Sequence, residues 1–241
     1  SASSALAVIA AARLVAEGHA QRCLVVAPHC ELSPAEFRAL HDSGAMAHHA
    51  FLDQPHRVCR PFDQDRQGFV YGQGAAAVLL ERTGPGIEPL ALILGHGQRL
   101  DGRRGTEPNP AGQAAAIRAA LLAARLRPGE VDYVNTHGTG SPAGDVSEAK
   151  AVYEVFGSGP WINSTKPLLG HCMGAAGLQE LIATILQLRH GFVHPNPNLE
   201  LPLDIPLRFA GHTASAARIR VAVSNSFAFS GINASIVVGE I

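Results

Sequence analysis

Val131-Asp132-Tyr133-Val134-Asn135-Thr136-His137-Gly138-Thr139-Gly140-Ser141-Pro142-Ala143-Gly144-Asp145 carries the pattern of a layered α/β protein. Val131 to Val134 reads as a short strand. The polar, glycine-rich segment from Asn135 to Asp145 follows, and Val146 to Phe156 then reads as a helix. A strand that runs through a loop into a helix is the repeating unit of α/β layers, and ligands of such folds gather beyond strand ends. His137, flanked by glycine, therefore stands where backbone is close and a substrate has room. The plainer reading is a histidine in a turn.

The alternation continues on both sides. Ala5 to Ala16 is apolar nearly all round, interrupted by Arg13, and helices of that kind lie inside large proteins. Cys23 to Ala27 reads as a buried strand. Ser33 with Glu36 forms a capping-box pattern that opens a helix to about Leu40. Residues 41–66 are polar and read as a loop. Gly74 to Glu81 and Pro89 to Gly97 read as strands that pair as a hairpin around Arg82-Thr83-Gly84-Pro85-Gly86. Helices are expected over Ala111 to Leu126 and Gly174 to His190. Further strands are expected at Trp161 to Asn163, Arg218 to Val223 and Ser235 to Val238.

Composition narrows the function. Of 241 residues, 46% are apolar and 16% charged, which suits a large core and argues against disorder. Nineteen Lys+Arg against 20 Asp+Glu leave no basic excess for nucleic acid or an anionic membrane. Cys23, Cys30, Cys59 and Cys172 show no metal-ligand spacing and read as free thiols in a reducing, cytoplasmic setting. No metal and no dissociable cofactor is implied. The apolar run near the start is too short to span a bilayer.

Two further segments carry chemistry. In Ser164-Thr165-Lys166-Pro167-Leu168-Leu169-Gly170-His171-Cys172-Met173-Gly174-Ala175-Ala176-Gly177, small residues allow close approach of another backbone. Lys166 and His171 precede a buried helix, where a neutral histidine can donate to a developing oxyanion. Glu180 on that helix is a buried carboxylate in need of a partner, and Lys166 is the candidate. A purely structural ion pair is the alternative. In Ser224-Asn225-Ser226-Phe227-Ala228-Phe229-Ser230-Gly231-Ile232-Asn233-Ala234-Ser235, two phenylalanines alternate with small residues. Such a loop gates an acyl pocket or is a tight turn with core aromatics.

The order and spacing of these motifs resemble the β-ketoacyl synthase family, the thiolase-fold condensing enzymes of fatty acid and polyketide synthesis. His137-Gly138-Thr139 looks like the family's HGT segment, and residues 166–177 look like its K-x4-GH-x-x-GAAG segment. Phe227 to Asn233 looks like its glycine-rich Phe loop. Arg60-Pro61-Phe62-Asp63 followed by Gly68-Phe69-Val70-Tyr71-Gly72-Gln73-Gly74-Ala75 looks like its RPFD and GFV-x-GEGA segments. The resemblance implies a layered α-β-α-β-α fold, with residues 1–85 ending an N-terminal half and residues 86–241 forming the C-terminal half. It implies Ser1, His137, Lys166, His171 and Glu180 as catalytic positions, and Phe227, Phe229, Gly231 and Asn233 as acyl pocket and gating loop.

Aligning Arg13 to Gly18 with the end of the family's nucleophile helix places Ser1 where the family has its active-site cysteine. Serine is a much weaker nucleophile unless a base activates it, so condensation by this chain is in doubt while decarboxylation stays chemically open. Gln73 replaces a carboxylate, and Ala228 and Ser230 replace glycines, the latter stiffening the gate. The resemblance puts a chain-length-factor-like subunit first, with a malonyl-carrier-protein decarboxylase or a true condensing enzyme as alternatives. Self-cleavage before Ser1, by attack of its hydroxyl on the preceding carbonyl, is a further expectation. An N-terminal-nucleophile hydrolase would leave the synthase motifs unexplained. Expected partners are the chain's own N-terminal fragment, a ketosynthase subunit (identical or cysteine-bearing) and acyl carrier protein with a phosphopantetheine arm, without nucleic acid or membrane.

Overall fold

The computed structural model describes residues 1–28, 31–48, 51, 53–84, 86, 88–103 and 105–241. In chain order the elements are α1 (Ser3–Ala16), β1 (Arg22–Ala27), α2 (Pro34–Asp42), β2 (Ala76–Glu81), β3 (Leu92–Leu100), α3 (Pro110–Ala124), β4 (Tyr133–Asn135) and α4 (Pro142–Phe156). They continue with β5 (Trp161–Asn163), the single turn α5 (Lys166–Leu169), α6 (Ala176–His190), β6 (Phe192–Val193), β7 (Arg208–Phe209), β8 (Ser215–Ala216), β9 (Val221–Ala228) and β10 (Ile232–Gly239).

Six strands form one mixed sheet in the order β3-β10-β9-β4-β5-β7, and β1 pairs with β2 in a separate antiparallel sheet. Helices α1 and α6 fill the space between the sheets: α1 packs on β1 and β10, and α6 on β9 and β2. Val8, Ile9, Leu178 and Leu181 make that core with Val25, Ala222 and Ile236. On the far face of the large sheet, α3 and α4 bury Ile117, Ala120, Val152 and Val155 against Val134, Val223 and Val237. Both helices begin as their sequences dictate. Asn109 and Ser141 cap them through side-chain oxygens, and each has proline in its first turn. The succession is sheet, helix pair, sheet, helix pair, and the outward face of the β1–β2 sheet leaves Leu24, Val26 and Leu79 exposed.

The close crossing of α1 and α6 depends on Gly177. A β-carbon there would lie 2.7 Å from Ser226 Oγ and 3.1 Å from Ala5 Cβ. Gly174 has open space around it, so of the two glycines in residues 174–177 it is Gly177 that answers the expectation of tight backbone approach. The Leu178 N–H donates to Ser4 Oγ at 3.0 Å, tying the first turn of α6 to that of α1.

Two expectations are corrected. The segments 74–81 and 89–97 do not pair with each other: β2 pairs with β1, and β3 with β10. Pairing across about fifty residues or more leaves no local turn signal, whereas the glycines and proline between the segments imitate one. The Phe segment is not a long loop. β9 runs on to Ala228 and β10 starts at Ile232, with Phe229–Gly231 as the turn between them. Ser224, Asn225 and Ser226 look loop-like in sequence because they are polar, yet they are buried strand residues. The free thiols Cys59 and Cys172 are buried and Cys23 is half-buried, whereas Cys30 lies outside the described residues. Among the described residues, no helix is long and apolar enough to cross a membrane.

Candidate functional site

The two central helices start at one place. Ser1 immediately precedes the first turn of α1, and His171 precedes α6. The Ser1 hydroxyl lies 2.9 Å from His171 Nε2. His137, from the loop after β4, presents its ring edge-on to His171, with centroids 5.5 Å apart and planes at 84°. The three side chains line one cavity of about 460 Å³, bounded also by Phe69, Met173, Phe227 and Phe229.

Backbone contacts hold each histidine. The His171 N–H donates to Val70 O at 2.7 Å and its carbonyl accepts from Gly72 N at 3.0 Å, so residues 70–72 run beside it like a strand. Gly72 and Gly170 make that approach possible: a β-carbon on Gly72 would sit 2.3 Å from Leu169 O. The GFVYG segment is therefore a clamp on His171, and Phe69 closes it with an edge-on ring 5.3 Å away.

His137 is held by a residue that the sequence reading passed over. Glu148, on the buried face of α4, accepts the N–H groups of His137 and Gly138, each at 2.8 Å. Asp145, one turn earlier, accepts from the N–H groups of Phe62, Thr139 and Gly140. The signal was present: acidic residues three apart share a face with Val152 and Val155, and a buried carboxylate needs donors. Burial pushes the Glu148 carboxyl up to about 8 and Asp145 up to about 6, opposed by those backbone donors.

Lys166 and Glu180 form a fully buried ion pair, and the ammonium also donates to the His137 carbonyl oxygen. Burial raises the Glu180 carboxyl and Lys166 draws it back. Burial first, and the Lys166 charge second, hold both His137 and His171 well below the ordinary imidazole range. Both rings are neutral at physiological pH. A neutral imidazole with its proton on Nε2 is a hydrogen-bond donor into the cavity, suited to a developing oxyanion. Cys172 beside His171 points to Leu169 O and packs; burial raises its thiol pKa.

The structure thus brings Ser1, His137, Lys166, His171 and Glu180 together. Phe227 is buried 6.5 Å from His137, ring to ring, while Phe229 is half-exposed at the turn. Gly231 and Asn233 also line the cavity. Ser230 adopts φ 64°, a left-handed conformation in which glycine rests without strain and serine does not. Among the described residues no cluster of His, Cys, Asp and Glu could hold a metal ion.

Comparison with known proteins identifies the family. Residues 1–85 match the β-ketoacyl synthase N-terminal domain and residues 90–200 its C-terminal domain. The chain is 38% identical to "Polyketide biosynthesis malonyl-ACP decarboxylase PksF" of Bacillus subtilis (strain 168), over 100% of this chain and 59% of that protein. It is 37% identical to "3-oxoacyl-[acyl-carrier-protein] synthase 2" of Vibrio harveyi, over 96% of this chain and 58% of that protein. A β-ketoacyl synthase structure from Burkholderia phymatum STM815 superposes with TM-score 0.94 at 33% identity, covering 100% of this chain and 60% of that one. The ishigamide ketosynthase/chain length factor superposes with TM-score 0.90 at 32% identity, covering 99% of this chain and 59% of that one. The chain therefore spans about three-fifths of these relatives. In sequence and in its layered thiolase-like architecture, it belongs to the β-ketoacyl synthase family.

Proposed function

We propose that the chain belongs to a ketosynthase-like subunit of a fatty acid or polyketide synthase that decarboxylates a malonyl thioester. One observation carries this reading: the Ser1 hydroxyl on His171 Nε2 at 2.9 Å, inside an otherwise complete two-histidine site. The thioester carbonyl oxygen accepts from His137 and His171 Nε2–H groups. The bond to the carboxylate carbon breaks, carbon dioxide leaves, and the electron pair moves into an enolate held by those donors. Protonation of the enolate carbon by water gives the acetyl thioester.

Serine suits this chemistry. A cysteine would share its proton with the imidazole and take up acyl groups, whereas a hydroxyl stays neutral and hydrogen-bonded to His171 Nε2. The site then keeps both imidazoles without acylating itself. The similarity to the Bacillus subtilis malonyl-ACP decarboxylase supports the same reading. Acyl carrier protein is the expected donor of the thioester; one structural neighbour is a ketosynthase in complex with an acyl-carrier protein. The exposed Leu24, Val26 and Leu79 face suits a covering layer supplied by an N-terminal segment of the same polypeptide.

The test is incubation of full-length protein with malonyl-pantetheine, with the acetyl product followed by mass spectrometry. Product formation that is lost in His137→Ala and His171→Ala supports the reading; no product, or product indifferent to both substitutions, sinks it. A second reading, a non-catalytic chain-length-factor-like partner of an active ketosynthase, is favoured by the likeness to the ishigamide complex. It expects co-purification with a cysteine-bearing ketosynthase and no histidine-dependent product.

A further inference from the structure

Decarboxylation ends with a proton on carbon, and Ser1 stands where that proton is needed. Its Oγ lies 2.9 Å from His171 Nε2. A thioester oxygen held by the same nitrogen sits about 3 Å from it. The hydroxyl and the enolate therefore meet at one atom of the ring, and the carbon that loses carbon dioxide is two bonds from that oxygen. Aromatic walls enclose the place. Phe69 stands edge-on to His171 with centroids 5.3 Å apart, and Phe227, buried, lies 6.5 Å from His137, ring to ring.

The other groups around the two rings are committed elsewhere. Both oxygens of Glu148 accept backbone N–H groups, those of His137 and Gly138. The Lys166 ammonium is spent on Glu180 and on the His137 carbonyl oxygen. Asp145 accepts from the Thr139 and Gly140 N–H groups. The Cys172 thiol points to Leu169 O. The imidazoles serve the enolate oxygen. Ser1 also differs in its place on a helix. It precedes Ala2, an N-cap without a side-chain acceptor, and the first turn of α1 holds no acidic residue. The positive end of a 14-residue helix thus acts on Ser1 with no carboxylate in its first turn to offset it. Negative charge on Oγ is favoured at that position.

We propose that Ser1 is the proton donor of the decarboxylation: its hydroxyl protonates the enolate carbon inside the cavity, and water supplies that proton only through Ser1. This deepens the decarboxylase reading and rests on it. The Oγ–H bond breaks as the new C–H bond forms, and the electron pair left on Oγ makes an alkoxide. The N-terminus of α1 and the Nε2–H of His171 hold that charge. Water then returns a proton to Oγ, and the hydroxide so formed adds to the released carbon dioxide as bicarbonate. One malonyl thioester and one water give one acetyl thioester and one bicarbonate, and Ser1 is regenerated. The transfer runs downhill, because a carbon beside a thioester holds its proton more tightly than a hydroxyl does.

The experiment follows the fate of the enolate. Full-length wild type, Ser1→Ala and Ser1→Thr receive malonyl-pantetheine under isotopically labelled carbon dioxide and bicarbonate. Mass spectrometry reads the acetyl-pantetheine formed and the label in the carboxyl group of the recovered malonyl-pantetheine. An enolate that waits for its proton recaptures labelled carbon dioxide. Ser1→Ala is expected to form product about 10²-fold more slowly than wild type, and to raise the ratio of recaptured label to product by about tenfold or more. Ser1→Thr keeps the hydroxyl and is expected to restore the wild-type ratio. The ratio does not depend on how much of a preparation is folded, so a merely structural role would leave it unmoved. Equal ratios in wild type and Ser1→Ala overturn the proposal, as does a Ser1→Thr ratio as high as that of Ser1→Ala. A wild type that forms no acetyl-pantetheine overturns the decarboxylase reading itself, which separates the two failures.

Discussion

Glu148 holds His137 by its backbone: one carboxylate takes the N–H of His137 on one oxygen and the N–H of Gly138 on the other, each at 2.8 Å. The ring is thus positioned from behind by a residue that does not line up with it in sequence. Glu148→Ala leaves two buried N–H groups without acceptors, at about 1–3 kcal/mol each. Urea unfolding of full-length protein is expected to show a loss of about 2–6 kcal/mol. A loss under about 0.5 kcal/mol, the scale of an ordinary surface substitution, contradicts this account.

On the proposed mechanism, His137→Ala and His171→Ala each remove one donor to the enolate oxygen. Removal of a single such donor costs about 10²–10³ in turnover. Initial rates of acetyl-pantetheine formation check this, and the double variant is expected to fall short of the product of the two single losses, because both donors serve one oxygen.

The Lys166–Glu180 pair is fully buried, so breaking it from one side strands a charge. Lys166→Met is expected to destabilise the protein by about 3–5 kcal/mol. Lys166→Met with Glu180→Met is expected to cost less than the two single changes together, since no lone charge remains. A simple sum of the two losses would show that the partners are energetically independent.

Both histidines have folded-state pKa values well below their unfolded value of about 6.5. Below that pH the unfolded chain binds protons that the folded site refuses, so stability falls as pH falls and is fully present above about 6.5. Each ring contributes a slope of about 1.4 kcal/mol per pH unit below that point. Denaturation curves between pH 7.5 and pH 5 are the measurement, and His137→Gln with His171→Gln should flatten the profile over that range.

Much of the site is legible in the sequence because its residues lie close together in short motifs. Lys166 and His171 share one segment, and the glycines around them report backbone crossings that the structure shows at Gly170 and Gly177. Alternating strands and helices follow from local periodicity. What was not legible is non-local or disguised. The β1–β2 pairing joins segments with no turn between them, and Asn225 and Ser226 are polar residues inside a central strand.

The hydroxyl of Ser1 also changes how the site meets reagents. Of the buried thiols, Cys172 is turned toward Leu169 O, and Cys59 is sealed against Lys166 O with its pKa pushed up to about 12. Electrophiles that cap a thiolate therefore find no target at the centre of this cavity, although they would silence a relative with cysteine in the same place. Iodoacetamide therefore tests the proposed reading on the purified protein: turnover of malonyl-pantetheine is expected to survive a treatment that stops acyl transfer through a cysteine in the same place.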